Sequence, residues 1–349
     1  MSGLPKYYLG KPRDADMRVP EFVSECVMYF GIERDNPDGE FDPRYGGTAF
    51  MVGIPWEIDE RYAHLYLVTA KHVVDGTNGM KTGVGANLKN GKPAFIHLTG
   101  SKWYFHPDKT IISDIAVLPA SRIPMECHFR PVPLPLLSIP DHVGPGDEVF
   151  ITGLFTNVPG QQQYRPIVRT GNFALAGSKE EKIQNIRVGS QIGDMEAHLI
   201  EARSLGGISG SPVFVRESVA MYMKDINRNV YLYGDFYLLG LVHGHWEMHA
   251  ADKNHLDFMP KKRADDTVNV GIALVCPTRL ILETIMQEEL VMERKEREKS
   301  FKAKQESNVT TDSSFDLYDK DEFIKDLRKV SRKLPAEEPS QPDEEKSET

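Results

Sequence analysis

The stretch LGGISGSPVF, residues 205–214, sets a serine between glycines and directly ahead of a run of strand-forming residues. Glycines cluster where the backbone adopts conformations closed to other residues or lies bare beside a ligand. Taken alone, the stretch is compatible with an ordinary tight turn. Whether Ser209 has a chemical role therefore depends on which other residues of the chain could act on it.

Two further motifs supply the groups that an activated serine needs. LVTAKHVVDG places His72 just after an apolar strand, and SDIAVLPA places Asp114 at the start of another. A serine hydroxyl is a poor nucleophile unless a base takes its proton, and an acid must orient that base. We therefore predict a triad of His72, Asp114 and Ser209, in which the backbone amides of Gly207 and Ser209 hold the oxyanion.

Other interpretations of these residues remain open. Asp75 and Asp108 are rival acids, although Asp75 follows His72 too closely to reach its ring easily and Asp108 lacks the strand that follows Asp114. Singly, His72 reads as a structural histidine, Asp114 as a strand cap and Ser209 as a turn residue. The three motifs in this order favour the triad.

These motifs resemble those of the trypsin-like, chymotrypsin-fold serine peptidases, above all the compact bacterial and HtrA-like members. VTAKHVV resembles the family's T-A-x-H motif, DIAVLPA its D-I-A-x-L motif and GISGSP its G-x-S-G-x-P motif, and the resemblance covers about residues 40–280. It implies a serine endopeptidase that cleaves peptide bonds through an acyl-enzyme. The alternative is a catalytically silent fold of this type that serves as a protein-interaction module.

Two positions depart from the family pattern. Ile208 stands before the serine where secreted zymogens often carry an aspartate, so activation by pairing with a newly cut N-terminus is not expected. Ser211 stands where the family usually has glycine. Neither departure removes a triad member.

The resemblance also implies a substrate pocket. Its residues are Arg203, His243, Gly244, His245 and Gly271. Arg203 would favour an acidic substrate side chain, unless it turns outward or pairs with a carboxylate such as Glu201. By the same match, His243 lies where the family has a residue that touches the triad aspartate. A metal site formed by His243, His245, His249 and His255 is the rival interpretation, and we expect no metal.

The spacing of strand-forming runs predicts a mainly β fold. Val, Ile, Phe, Tyr and Leu dominate these runs, and Gly, Pro, Asn and Asp separate them. We expect an N-terminal extension over 1–20 and a peptidase domain over 21–286. The domain would hold two six-stranded antiparallel β-barrels of the chymotrypsin type, at about 21–122 and 147–278, joined by a proline-rich connector at 123–146.

The composition changes after Pro277, from strand-forming runs to helix-forming and charged residues. The sequence predicts a C-terminal helix that starts directly after Pro277, docks at its start and projects at its end. Residues 287–349 are expected to form a flexible charged tail, partly helical and partly disordered. An apolar stripe at helical spacing lies within this tail and is a candidate for binding a protein partner, or for packing back on the domain. The stripe consists of Phe323, Ile324, Leu327, Val330 and Leu334.

Composition narrows the classes of function. A net charge of −9 argues against a nucleic-acid binder, and no signal peptide or long apolar run points to a membrane. The three cysteines show no CxxC spacing, which favours a reducing, cytoplasmic location. We expect a protein or peptide substrate and no cofactor.

Overall fold

The computed structural model describes residues 19–34, 41–156, 158, 160, 162–202, 207–217, 222–225, 228–231, 236–249 and 267–306. Strands dominate these ranges, as the sequence predicts. A short helix α1, Phe22–Glu25, leads into the first strand, and α2, Lys71–Asp75, follows the third.

The N-terminal strands form one eight-stranded sheet. Seven of them run in the order β5-β4-β1-β2-β3-β7-β6, and β8 pairs in parallel with β2. The strands are β1 Val27–Arg34, β2 Asp42–Pro55, β3 Ala63–Thr69, β4 Thr82–Asn87, β5 Pro93–His97, β6 Tyr104–Phe105, β7 Ala116–Pro119 and β8 Val132–Pro133. The central strands β2 and β3 are long and almost wholly buried between Gly47 and Ile54 and along β3.

The C-terminal strands close into a six-stranded antiparallel barrel. Its order is β10-β13-β18-β17-β14-β9, with β9 pairing back onto β10. Its strands are β9 Glu148–Gly153, β10 Ile167–Leu175, β13 His198–Glu201, β14 Pro212–Arg216, β17 Phe236–His249 and β18 Thr267–Pro277. Two hairpins lie outside the barrel: β11 Ile183–Val188 with β12 Gln191–Met195, and β15 Tyr222–Asp225 with β16 Arg228–Tyr231.

The expectation of two closed barrels therefore holds in part. In the described residues β5 and β6 are the two ends of the N-terminal sheet and do not pair, so a second closed barrel is not shown. The strand β6 is only two residues long, and in the described residues it pairs with β7 alone. The proline-rich segment expected as a connector contributes β8 and a 3₁₀ helix, Leu134–Leu137.

Two C-terminal helices lie against the strands. Helix α3, Thr278–Ile285, follows β18 and buries Leu280, Ile281 and Ile285 in the core between the sheet and the barrel. Helix α4, Glu288–Glu306, continues from it. None of the helices in the described ranges is long and apolar enough to span a membrane.

The expected projection of the C-terminal helix was wrong as far as Phe301. Leu290, Arg294, Glu298 and Phe301 are all buried, at helical spacing along α4. The two charged members have buried partners, because Arg294 donates to the Tyr66 hydroxyl at 2.7 Å and Glu298 bonds His64. The apolar stripe over 323–334 lies outside the described residues, and so do the first 18 residues.

Candidate active site

Strand pairing brings the base and the acid of the predicted triad together. In the β3–β7 ladder Thr69 pairs with Ala116, so the chain that leaves β3 and the chain that enters β7 meet at one end of the sheet. His72 lies in α2, just past β3, and Asp114 lies just before β7. The Lys71 amide also donates to the Asp114 carbonyl at 3.2 Å, which ties the two segments together.

The Asp114 carboxylate holds His72 through two hydrogen bonds. The His72 amide donates to Oδ1 at 2.8 Å, and Nδ1 of its ring lies 2.6 Å from Oδ2. A carboxylate accepts only, so Nδ1 carries the proton in this contact. The ring nitrogen Nε2 is then left free to take a proton from a nucleophile.

Burial and charge set the protonation of this pair. Burial alone would lower the pKa of His72, but the hydrogen bond and the charge of Asp114 outweigh it and raise that pKa above its ordinary value. Burial alone would raise the pKa of Asp114, but hydrogen bonds from His243 and His72 hold that pKa below its usual range. The pair is therefore an ionised acid beside an imidazole of increased basicity.

The rival acids do not contact the His72 ring. Asp75 is exposed and pairs with Lys71, and it acts on His72 only as a nearby charge. Asp108 accepts hydrogen bonds from the amide and the hydroxyl of Thr110 at 2.9 and 2.7 Å, which makes it a turn-stabilising residue.

Ser209 lies in a tight turn directly before β14. Gly207 and Gly210 flank the turn with φ values of +94° and +81°, a region that favours glycine. A side chain on Gly210 would also collide with the Thr48 carbonyl, 2.2 Å from its Cβ position. Both glycines are therefore required by the backbone, as the opening motif indicates.

Thr48 joins this turn to the N-terminal sheet. Its amide donates to the Ser209 carbonyl at 2.9 Å, and its hydroxyl donates to the Gly207 carbonyl at 3.0 Å. Its own carbonyl accepts from the Thr69 hydroxyl at 2.7 Å, one strand away. Sequence reasoning missed Thr48, although it sits in the GGTAFMVG segment that precedes the histidine strand.

The two predicted oxyanion donors are unclaimed within the described part of the chain. There, neither the Gly207 amide nor the Ser209 amide donates a hydrogen bond, while the neighbouring Gly210 and Ser211 amides are bonded to Val242 and Ile208. Polar amides left free beside a candidate nucleophile are what an oxyanion hole requires.

The Ser209 hydroxyl points to a backbone carbonyl. It donates to the His243 carbonyl at 3.3 Å, and among the described residues no hydrogen bond joins it to His72. To attack a substrate, the hydroxyl has to turn from this carbonyl toward Nε2 of His72.

His243 reaches Asp114 from the opposite side. Its Nδ1 lies 2.6 Å from Oδ2, the same oxygen that His72 contacts, and the two rings meet edge-on with centroids 5.4 Å apart. One ligand atom from each of these three residues lies within 4.8 Å of the others, a grouping of two histidines and a carboxylate that metal centres also use. The 2.6 Å separations are those of short hydrogen bonds, and we describe the cluster as such.

The remaining pocket residues are placed in part. Gly244 pairs with Leu274 and His245 with Ala273 in the β17–β18 ladder, so both lie on the strand that carries His243. Gly271 accepts the Ala202 amide at 2.8 Å and has open space beside its Cα. Arg203 and His255 lie outside the described residues, so an acidic preference and a histidine-rich metal site there stay untested.

Comparisons with known proteins return structural likeness only. No family model matches the chain, and no curated protein matches it significantly. The MamO protease domain from Magnetospirillum magneticum aligns with 76% of this chain and 98% of its own, at 16% identity and a TM-score of 0.44. Deg5 aligns with 75% of this chain and 88% of its own, at 16% identity and a TM-score of 0.39.

A third structure gives a similar result. The Rv3671c protease of M. tuberculosis, in an inactive form, aligns with 79% of this chain and 96% of its own, at 16% identity and a TM-score of 0.40. The neighbours are trypsin-like serine protease domains of the HtrA or Deg type.

Proposed function

We propose that the protein is a serine endopeptidase in which Ser209 attacks the scissile carbonyl. The observation that supports this most strongly is the pair of hydrogen bonds from His72 to the buried Asp114, which leaves the imidazole oriented and basic. His72 takes the Ser209 proton as the hydroxyl attacks and returns it to the leaving amine. Water then hydrolyses the acyl-enzyme by the same route.

The amides of Gly207 and Ser209, which donate to no group in the described ranges, complete the proposed machinery. A tetrahedral intermediate carries a negative oxygen, which two backbone donors stabilise without needing to reorganise. The Thr48 contacts hold the Gly207 and Ser209 carbonyls, which belong to the peptide groups that follow these two amides, and so anchor the turn to the N-terminal sheet. An extended protein or peptide chain is the substrate class that this proposal implies.

A second candidate function is an interaction module with no hydrolytic activity. It is favoured by the Ser209 hydroxyl, which donates to the His243 carbonyl instead of to His72.

For the cellular compartment we propose the reducing cytoplasm, in which the three cysteines stay as thiols. All three cysteines are free and buried.

A fluorophosphonate probe separates the two candidates, because it reacts rapidly only with an activated serine. We expect the wild-type chain and the matched control Ser178→Ala to be labelled at one site, and Ser209→Ala to be unlabelled while it keeps its circular dichroism spectrum. On a peptide substrate, Ser209→Ala should lose activity by about a million-fold. A folded wild-type chain that resists the probe would favour the interaction module.

A further inference from the structure

The carboxylate of Asp114 serves two imidazoles on one oxygen. Nδ1 of His72 and Nδ1 of His243 each lie 2.6 Å from Oδ2, while Oδ1 accepts only from the His72 amide among the described contacts. Asp114 is 0% exposed, so bulk solvent does not reach its carboxylate. Because the carboxylate can only accept, both imidazoles present Nδ1–H to it.

Two donors on one acceptor compete for its charge. Each hydrogen bond draws electron density from the oxygen, and the charge available to the other donor falls accordingly. His72 gains its basicity from that charge. A second imidazole therefore reduces the attraction that Asp114 exerts on a protonated His72.

The backbone beside His243 is held by hydrogen bonds, and its ring is largely buried. The neighbouring Val242 amide donates to the Ser211 carbonyl at 2.9 Å, and the Gly210 amide donates to the Val242 carbonyl at 2.8 Å. The side chain is only 13% exposed. The same residue thus contacts the acid through its ring and the nucleophile through its carbonyl.

We infer that His243 is a positioning residue that shares Oδ2 of Asp114 with His72 and so limits how tightly the acid holds a proton on the base. The inference deepens the proposed function and rests on it for its catalytic meaning. The shared carboxylate keeps His72 neutral, and therefore able to accept the Ser209 proton, down to a lower pH than a single-imidazole site would allow.

Other charged groups around the cluster act more weakly. Asp75 lies near His72 but is exposed and pairs with Lys71 at 3.7 Å. The Cys276 thiol is fully buried within reach of the Asp114 charge, and burial raises its pKa well above its ordinary value, so it stays neutral. Among the described side chains, His243 is thus the group besides His72 that hydrogen-bonds the carboxylate.

The test replaces His243 in two ways and follows His72 directly. In His243→Asn the side-chain amide nitrogen occupies the place of Nδ1 and still donates to Asp114, whereas His243→Leu removes the donor. Histidine-labelled protein is titrated by NMR, with the His72 signals assigned by their loss in His72→Ala. The exposed His97 provides a matched control as His97→Asn.

We expect the His72 midpoint to rise by about one pH unit in His243→Leu and to stay close to wild type in His243→Asn and His97→Asn. The acid limb of kcat/KM should move upward in the same variant, because neutral His72 is required. His243→Ala removes the donor with less bulk, and serves if the leucine variant does not fold.

Two results would overturn the inference. One is an unchanged His72 midpoint in folded His243→Leu and His243→Ala; the other is an equal shift in the asparagine variant, which would show that packing, not the donated hydrogen bond, matters. The NMR midpoint needs no turnover. A chain that proves inactive therefore refutes the proposed function while leaving this inference to be decided on its own.

Discussion

Two histidine–carboxylate pairs in this protein have contacts of similar length but lie in different surroundings. His72 lies 2.6 Å from Asp114, and His64 lies 2.7 Å from Glu298. The His72 side chain is 29% exposed, whereas that of His64 is 4% exposed and stacks on Trp56. A short imidazole–carboxylate contact is thus not in itself the signature of a catalytic base.

The pairs differ in charge as well. Burial lowers the pKa of His64 to about 4 despite its bond to Glu298, and the charges of Arg297 and Arg294 lower it further. For His72 the pull of Asp114 exceeds the cost of burial and the pKa is raised. Side-chain exposure and the sign of the neighbouring charges thus separate the proposed base, His72, from His64, a buried neutral donor that bonds helix α4.

Replacing the two histidines should therefore give opposite outcomes. His72→Ala should lose peptidase activity by about a million-fold while it keeps its circular dichroism spectrum, because it removes the base and leaves the hydrophobic core intact. His64→Gln keeps a donor near the position of Nε2 and should retain near wild-type kcat/KM. A comparable loss of activity in the two variants would contradict the claim that His72, and not His64, is needed for catalysis.

The carboxylates give the next largest effect. Asp114→Asn presents one oxygen and one amide where two oxygens accept hydrogen bonds, so His72 is held in the wrong tautomer. We expect a folded protein slowed roughly ten-thousand-fold. Steady-state kinetics over a range of pH measures this loss, and a variant within tenfold of wild type would show that Asp114 does not orient the base.

Glu298 should matter for stability instead. Its Oε2 accepts the Glu57 and Ile58 amides at 3.1 Å each, and Oε1 accepts His64. Glu298→Ala leaves the buried His64 donor and two part-buried amides unpaired, and urea unfolding should show a loss of about 1–3 kcal/mol. The exposed Glu296→Ala is the control and should change the free energy of unfolding by less than about 0.5 kcal/mol.

Activity per folded molecule sharpens this prediction. Glu298 contacts the loop before β3 and the start of that strand, at the opposite end of β3 from His72. We therefore expect kcat/KM, corrected for the folded fraction, to stay near wild type. A matching drop in corrected kcat/KM would mean that α4 also supports the active site.

The same comparison shows what the sequence could and could not provide. His72 and Asp114 sit in short motifs that predict a contact between them, and the structure shows that contact; the role of Ser209 as nucleophile stays a prediction. The C-terminal helix could also be predicted, but the burial of α4 could not, because Arg294 and Glu298 read as solvated charges. Their buried partners Tyr66 and His64 lie 228 and 234 residues away, and only tertiary packing shows that a charged stripe is a buried one.

Barrel closure escaped prediction for a related reason. The strand-forming runs indicate which segments can form strands, but they do not show whether the two ends of a sheet meet in space. In the described residues β5 pairs with β4 and β6 pairs with β7, and no pairing joins β5 to β6. The pattern thus predicted a β fold but not the openness of the N-terminal sheet.

The smallest expected effect is a difference in how the two histidines link stability to pH. The folded pKa of His64 is lowered, so the unfolded chain binds a proton that the folded chain refuses, and stability should fall as pH drops from about 6.5 toward about 4. The loss from this residue is at most about 3 kcal/mol.

The pKa of His72 is raised in the folded state, so the stability that His72 contributes is present below its unfolded pKa and is lost as the pH rises through its folded pKa. Urea unfolding at pH 7 and pH 5 should then show a smaller acid loss in His64→Gln than in wild type, and a larger one in His72→Ala. Parallel pH profiles in the wild type and both variants would contradict the opposite assignments of the two imidazoles.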